Sequence, residues 1–338
     1  MAKLTTRELA RLAGVSPTAV SFALNGKPGI SDETREHILK LAETTGYVPA
    51  GRAPAVRDAS RPRRIAVVYP ESLRPIDQLF YMELNSCVML ASGGFDLFFT
   101  HLSMKDGKVQ MPEIILSHAV DGVLVFGNIH SEVTRRLHAM NFPVVELDSS
   151  RRYPGQVSVS ADYSTAAYTA VCHLLSLGHK DIAYIGNNEM HDFYLQTFAG
   201  FQKAAMEAGL SLDMSRIQFG IRDEQTLHDA VDGLIRSGTL PTAFFCATDL
   251  YAVHTIERLH LAGLRVPEDV SVIGIDDTII SRFTVPALTT VRIDREALAR
   301  RGFEALGELL AGRPQQSIVI PSSDLVLRES TAPPAARS

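Results

Sequence analysis

Along SPTAVSFALN, residues 16–25, helical spacing puts Thr18, Ser21, Phe22 and Asn25 on one face and Val20, Ala23 and Leu24 on the other. That outer face offers two hydroxyls, a carboxamide and a phenyl ring, groups that read donor and acceptor patterns over short range but contain no nucleophile with its base. Further on, GYVPAGRAPAVRDASRPRR at residues 46–64 carries Arg52, Arg57, Arg61, Arg63 and Arg64 with too little apolar bulk to fold alone. A hydrogen-bonding face beside clustered positive charge suits contact with a polyanion. The charge distribution points the same way. Residues 1–64 hold eleven Lys/Arg against six Asp/Glu, and the remainder holds 22 against 32, within a total of -5. A small basic head on a larger acidic body implies that only the head meets the polyanion.

Elsewhere reactive chemistry is sparse. The sequence has no HExxH, GxSxG, Walker A or GxGxxG pattern. Cys87, Cys172 and Cys246 lie far apart, which excludes a disulfide framework and CxxC metal spacing. His179 in LGHKDI is expected to order a turn, and the pair His191–Asp192 does not make a metal site by itself. No catalytic residue, metal ligand or cofactor is therefore expected. With 338 residues and 46% hydrophobic content, the chain has room for two or three domains. No apolar run is long enough to span a bilayer and no secretory signal opens the chain, so a cytoplasmic protein without membrane contact is expected.

The elements that position the outer face are legible in the flanking residues. Thr5 and Glu8 form a capping box, Leu9, Leu12 and Ala13 make an apolar face, and Gly14 suits a left-handed turn four residues after the small Ala10. Ser16 can cap a second helix with Pro17 at its first position. A third helix starts at Ser31 and stops at Gly46. The predicted unit is a helix-turn-helix. From Arg64 onward, RIAVVYP, FDLFFTH, DGVLVFG and FPVVELD form one set of buried strands, and DIAYIGN, RIQFG, TAFFCAT and VSVIGID a second. The sets meet near residues 155–163, and the chain crosses back near 286–294. Two α/β lobes joined by crossovers leave a ligand cleft at the carboxyl ends of their strands and can close like a hinge. Asp162 and Asp249 each precede a helix and could be caps or ligand groups.

TTRELARLAGVSPTAVSFALNG and ISDETREHILKLAETTGYVP closely resemble the DNA-binding domain of the lactose-repressor (LacI/GalR) family, and the likeness continues through LSLGHKDIAYIG, FFCATDLYAV, LAGLRVPEDVSVIGIDDT and PALTTVRID. The resemblance implies an N-terminal all-α helix-turn-helix domain of lambda-repressor type at residues 1–48 and a hinge at 49–63. It further implies an α/β two-lobed, periplasmic-binding-protein-like domain at 64–330. Lobe 1 would span about 64–158 and 294–320, lobe 2 about 159–290, with a flexible tail at 331–338. It implies a dimeric repressor of a near-palindromic operator in double-stranded DNA, controlled by a small-molecule effector such as a carbohydrate or nucleoside.

Carried over residue by residue, Pro17, Thr18 and Phe22 would select operator sequence, while Thr5, Ser16, Ser21 and Asn25 would touch phosphate or base. Phe22 stands where many members have arginine, and a phenyl ring packs on a thymine methyl instead of forking onto guanine. Tyr47 fits the Y-x-P pattern that precedes the hinge, and Arg52 and Val56 fall within the hinge, with Val56 at the family's leucine position and Gly51 and Pro54 expected to weaken the helix. In the effector cleft the resemblance places Phe80, Tyr81, Asp148, Thr248, Asp249 and Asp276, with Thr197 where an arginine is usual. Loss of that arginine argues against an acidic effector. ESTAPPAARS has no leucine heptads, which favours a homodimer over a tetramer. Three other readings compete: a solute-binding protein, a regulator whose cleft has lost its ligand, and a metabolic enzyme with an appended head.

Overall fold

The computed structural model describes residues 5–24, 29–45, 62–70, 78–105, 108–127, 131–149, 156–187, 192–238, 240–322 and 324–335. In the head, Glu8 N donates to Thr5 Oγ1 (3.3 Å) and Thr5 N donates to Glu8 Oε2 (2.7 Å), the reciprocal cap that starts α1, Thr6–Ala13. Gly14 ends this helix at φ 67°, a conformation glycine adopts without a Cβ penalty. Ser16 Oγ accepts from Ala19 N (3.1 Å), and Pro17 opens α2, Pro17–Leu24. Ser31 Oγ accepts from Thr34 N (3.2 Å) at the start of α3, Asp32–Thr45. Leu9, Ala10, Ala13, Val20, Ala23, Ile38 and Ala42 close a small core of their own.

The body begins with β1 (Arg63–Tyr69), α4 (Gln78–Ala91), β2 (Phe95–His101), the hairpin β3 (Ser103–Lys105) and β4 (Lys108–Gln110), and α5 (Glu113–Leu116). It continues through β5 (Gly122–Phe126), α6 (Ser131–Ala139), β6 (Val144–Leu147), β7 (Val157–Ala161) and α7 (Tyr163–Ser176). Next come β8 (Ile182–Ile185), α8 (Asp192–Glu207), β9 (Ile217–Gln218), α9 (Glu224–Arg236), β10 (Ala243–Cys246) and α10 (Asp249–Leu261). The remainder is β11 (Ser271–Asp276), β12 (Thr289–Arg292), α11 (Arg295–Leu310), β13 (Ile318–Ile320) and β14 (Asp324–Val326).

Two six-stranded sheets result, in the orders β13-β7-β6-β5-β1-β2 and β14-β12-β11-β10-β8-β9. Pairing is parallel throughout except for β14, which runs antiparallel to β12. Strands β5, β6, β8, β10 and β11 are buried along their whole length; β5, β8 and β10 are apolar runs, while β6 and β11 also bury Glu146, Ser271 and Asp276. With the usual right-handed crossovers, this strand order assigns α8 to one face of the second sheet, where it packs on α7, and α9 with α10 to the other.

The chain crosses between lobes after β7, after β12 and after β13. The first crossing comes a few residues later than the boundary expected at 158/159, because β7 lies wholly in the first sheet. The tail expected at 331–338 is also shorter. Ala332 O accepts from His179 Nε2 (2.8 Å), and Ala332 N donates to Ser271 Oγ (3.0 Å), which docks this segment on the second lobe. His179 is buried and also meets Thr242 Oγ1 (3.0 Å), so it orders the turn into β8 as its sequence position suggests.

Candidate functional site

In the head, Pro17 and Thr18 are exposed and Ser21 is half-buried. Phe22 is half-buried too. Its ring stands so close to Gly29 (φ 116°) that a Cβ there would lie 3.0 Å from it. Arg35 Nη1 donates to Phe22 O (3.0 Å), which ties the end of α2 to α3. The rigid cap and this tie fix the direction in which α2 presents Thr18, Ser21 and the free edge of Phe22. Thr5 and Ser16 spend their hydroxyls on caps, although both remain at the surface. Thr5's backbone N–H and then its hydroxyl hold the Glu8 carboxyl below its usual range. Asn25, Tyr47, Arg52 and Val56 lie outside the described residues.

In the body, Asp148 follows β6 at φ 58°. Tyr163 OH donates to its Oδ1 (2.5 Å) and Tyr81 OH to its Oδ2 (3.1 Å), joining α4, the end of β6 and the start of α7. Tyr81 lies against Gly127, where a Cβ would come within 2.7 Å of its hydroxyl, so glycine there is a condition of the arrangement. Phe80 meets Tyr81 edge-on (5.4 Å) and carries the Arg295 guanidinium over its ring (5.7 Å).

From the other lobe come Asp276 (φ 125°) and Asp277 (φ 51°) at the end of β11. Positive φ at three aspartates, each at or just after the end of a strand, is backbone strain of the kind that gathers at functional sites, about 1–3 kcal/mol apiece. Asp277 faces Arg292 (2.8 Å) and Arg328. Burial alone would raise its pKa, but hydrogen bonds from Arg328 and Arg292 leave it lowered. Asp277 is thereby committed to the lobe's interior. Asp276 instead sits close enough to Tyr163 to act on it: burial first, then the charges of Asp148 and Asp276, push the phenol well above its ordinary value. Tyr163 thus stays protonated and donates to Asp148.

Arg295 spans the junction. Its Nη1 donates to Asp276 O (2.6 Å), and its Nη2 donates to Asp277 O (2.9 Å) and pairs with Glu83 (3.0 Å). The other Glu83 oxygen accepts from Ile279 N (2.8 Å), so α4 of the first lobe grips the second at that point.

Phe80, Tyr81, Asp148 and Asp276 are therefore brought together. Thr197, Thr248 and Asp249 are not. Thr197 is fully buried, with its hydroxyl against Tyr184 OH (3.1 Å) and donating to Tyr194 O (3.1 Å). Thr248 caps α10 by accepting from Tyr251 N (3.2 Å), which makes Asp249 the first helical residue and not the cap. Asp162 does cap α7, through Thr165 N (2.9 Å). Tyr163, Arg295 and Glu83 were missed from the sequence. Tyr163 alone left a signal, as the first residue after a capped crossover.

Asp249 accepts from Thr278 N (2.7 Å), Thr278 Oγ1 (3.1 Å) and Thr290 Oγ1 (2.5 Å). Even so, burial pushes its pKa up to about 7. The folded state thus keeps a proton that the unfolded chain releases near pH 4. This group's contribution to stability declines as pH rises from about 4 to about 7 and is level above that. Asparagine can accept both Thr278 bonds at its oxygen and donate to Thr290. Asp249→Asn should therefore be more stable than the parent at pH 8 and should flatten the pH 5–7 slope in urea unfolding. A less stable variant at pH 8 would contradict this assignment.

Residues 5–50 match the family model of bacterial regulatory proteins of the lacI family, and residues 171–331 match a periplasmic binding protein-like domain. The chain is similar to the HTH-type transcriptional repressor PurR of Pasteurella multocida, 28% identical over 96% of this chain and 98% of that one. It is also similar to the HTH-type transcriptional regulator DegA of Bacillus subtilis, 29% identical over 98% and 99%. Among solved structures it is similar to a LacI family transcriptional regulator from Mycobacterium smegmatis, with TM-score 0.66, 29% identity, and coverage of 80% of this chain and 100% of that one. Its fold is also that of the lac repressor dimer bound to operator and the anti-inducer ONPF, with TM-score 0.67, 22% identity, and coverage of 98% and 100%. Among the described residues no helix is long and apolar enough to cross a membrane.

Proposed function

The chain belongs to the lacI family of bacterial regulatory proteins, a DNA-binding transcription regulator with an effector-binding body, and from that premise we propose a dimeric repressor whose operator affinity is set by a hydroxyl-rich effector held between the lobes. The observation that carries the effector class is the Tyr81–Asp148–Tyr163 cluster at the first lobe's strand end, with Asp276 of the second lobe near enough for its charge to act on the Tyr163 phenol. Carboxylates accept hydrogen bonds from ligand hydroxyls and repel an anion. A sugar or nucleoside fits this donor demand, and an acidic metabolite does not. The relatives are named as regulators, and among the described residues the cluster shows no nucleophile beside a base, which supports binding as its role.

On the DNA side, α2 enters the major groove and Pro17, Thr18, Ser21 and Phe22 face the base edges, with the segment at 49–63 as the hinge. The near-palindrome follows from a two-fold pair of heads.

The test is to select the operator with the purified full chain, find the sugar or nucleoside that alters binding, and repeat with Asp276→Asn. Losing one charged acceptor should weaken the effector's half-maximal concentration by about tenfold or more. Operator affinity without effector should stay within about twofold. An unchanged effector response would remove Asp276 from the site.

A further inference from the structure

On the outer face of the second lobe, α9 and α10 pack side by side and bring together two histidines and two glutamates that take no part in the interlobe cluster. Glu224 and His228 are one turn apart on α9, and His254 and Glu257 nearly one turn apart on α10. His228 Nε2 lies 3.4 Å from His254 Nδ1, 3.8 Å from Glu224 Oε1 and 4.0 Å from Glu257 Oε2. Glu257 Oε2 is also 3.5 Å from His254 Nδ1. The donor atoms of Glu224, His228 and His254 all lie within 4.8 Å of one another.

We propose that these four side chains form a binding site for a divalent transition cation of the zinc class. Zinc held by imidazole and carboxylate at about 2.0–2.1 Å in a tetrahedron needs donors roughly 3.4 Å apart. The two ring nitrogens already meet that distance, and they come from different helices whose packing fixes it. Both histidine side chains are more than four-fifths buried, whereas the glutamates are more than half exposed. The imidazoles are therefore the preorganised pair, and the carboxylates need only small rotations to close on the ion. Imidazole with carboxylate is a donor set for zinc, nickel or copper and a poor one for magnesium or calcium, which take oxygen ligands. A cation here would tie the first turns of α9 to the middle of α10.

The full chain, freed of tags and stripped with chelator, is titrated with zinc chloride by calorimetry and with cobalt(II) by visible absorption. We expect one cation per chain, intense visible bands of tetrahedral cobalt, and a zinc-dependent rise in Tm. His254→Ala and His228→Ala should each weaken zinc binding at least about tenfold and abolish the cobalt bands, and Glu257→Gln should weaken binding while leaving circular dichroism unchanged. Absence of binding at millimolar zinc would overturn the proposal. So would equal binding by the histidine variants, or loss of binding only in variants that have also lost their fold.

Discussion

Replacing Phe283 with aspartate should convert the protein to a monomer and weaken operator binding by about 10² to 10⁴-fold, the advantage that two linked heads hold over one. Phe283 is 76% exposed and Val285 82% exposed. Ile279 beside them, and Met82, Met89 and Leu90 on α4, are exposed as well. Because Glu83 accepts from Ile279 N, the α4 side chains and this turn adjoin. Apolar patches of this kind on a folded body mark an interface. The turn beneath is tied down: Thr278 N donates to Asp249, and Ser281 Oγ accepts from Arg328 Nη1 (3.0 Å). Phe283 is therefore turned outward by structure. A carboxylate in its place would be buried unpaired against a second copy, a cost no short contact can offset. Sedimentation should show a monomer with the parent's circular dichroism, full-operator affinity should collapse, and half-site affinity should hold. A variant that stays dimeric would place the interface elsewhere.

Replacing Gly200 with alanine should destabilise the second lobe by about 3 kcal/mol or more, at the upper end of the range for overpacking. A Cβ on Gly200 would lie 2.2 Å from Ser164 O, 2.8 Å from Ala167 Cβ and 2.9 Å from Tyr168 N. Two of those atoms are backbone of α7, so no side chain can swing aside. Helix α8 would have to lift from α7, and Tyr194, Phe201, Ala204 and Ala205 are all buried on that helix. Gly233 on α9 is the matched control, because a Cβ there meets nothing within 4 Å. Gly233→Ala should gain up to about 1 kcal/mol from helix propensity alone. Urea unfolding of the two variants reads the difference, and similar midpoints would contradict the close-approach reading.

The head was legible in the sequence because its signals are local. Thr5 with Glu8, Gly14, Ser16 with Pro17, and Ser31 each act within four residues. The interior strands were legible as well, since full burial demands apolar runs such as GVLVF and AFFC. What escaped were the pieces defined by their partners. Strand β7, VSVSA, is buried with two serines, and β14 has only three residues. The same limit governs the sites. Asp148 and Asp276 could be placed by resemblance, but Arg295 reaches the junction only because α11 returns to the first lobe. Glu224–His228 and His254–Glu257 are each ordinary helical pairs in sequence, and only the packing of α9 on α10 makes them one cluster.

The docking of Ala332 on His179 bears on the order in which the protein can be made. Strand β13 is the last piece of the first lobe, and β14 with the segment at 330–332 is the last of the second. The first lobe is complete only at residue 320 and the second only at residue 332, whereas the described core of the head is in place by residue 42. At about 10 residues per second, the head therefore exists as a folded, basic domain for roughly half a minute before its body can close. A nascent chain has its nucleic-acid surface well before the lobes that regulate it.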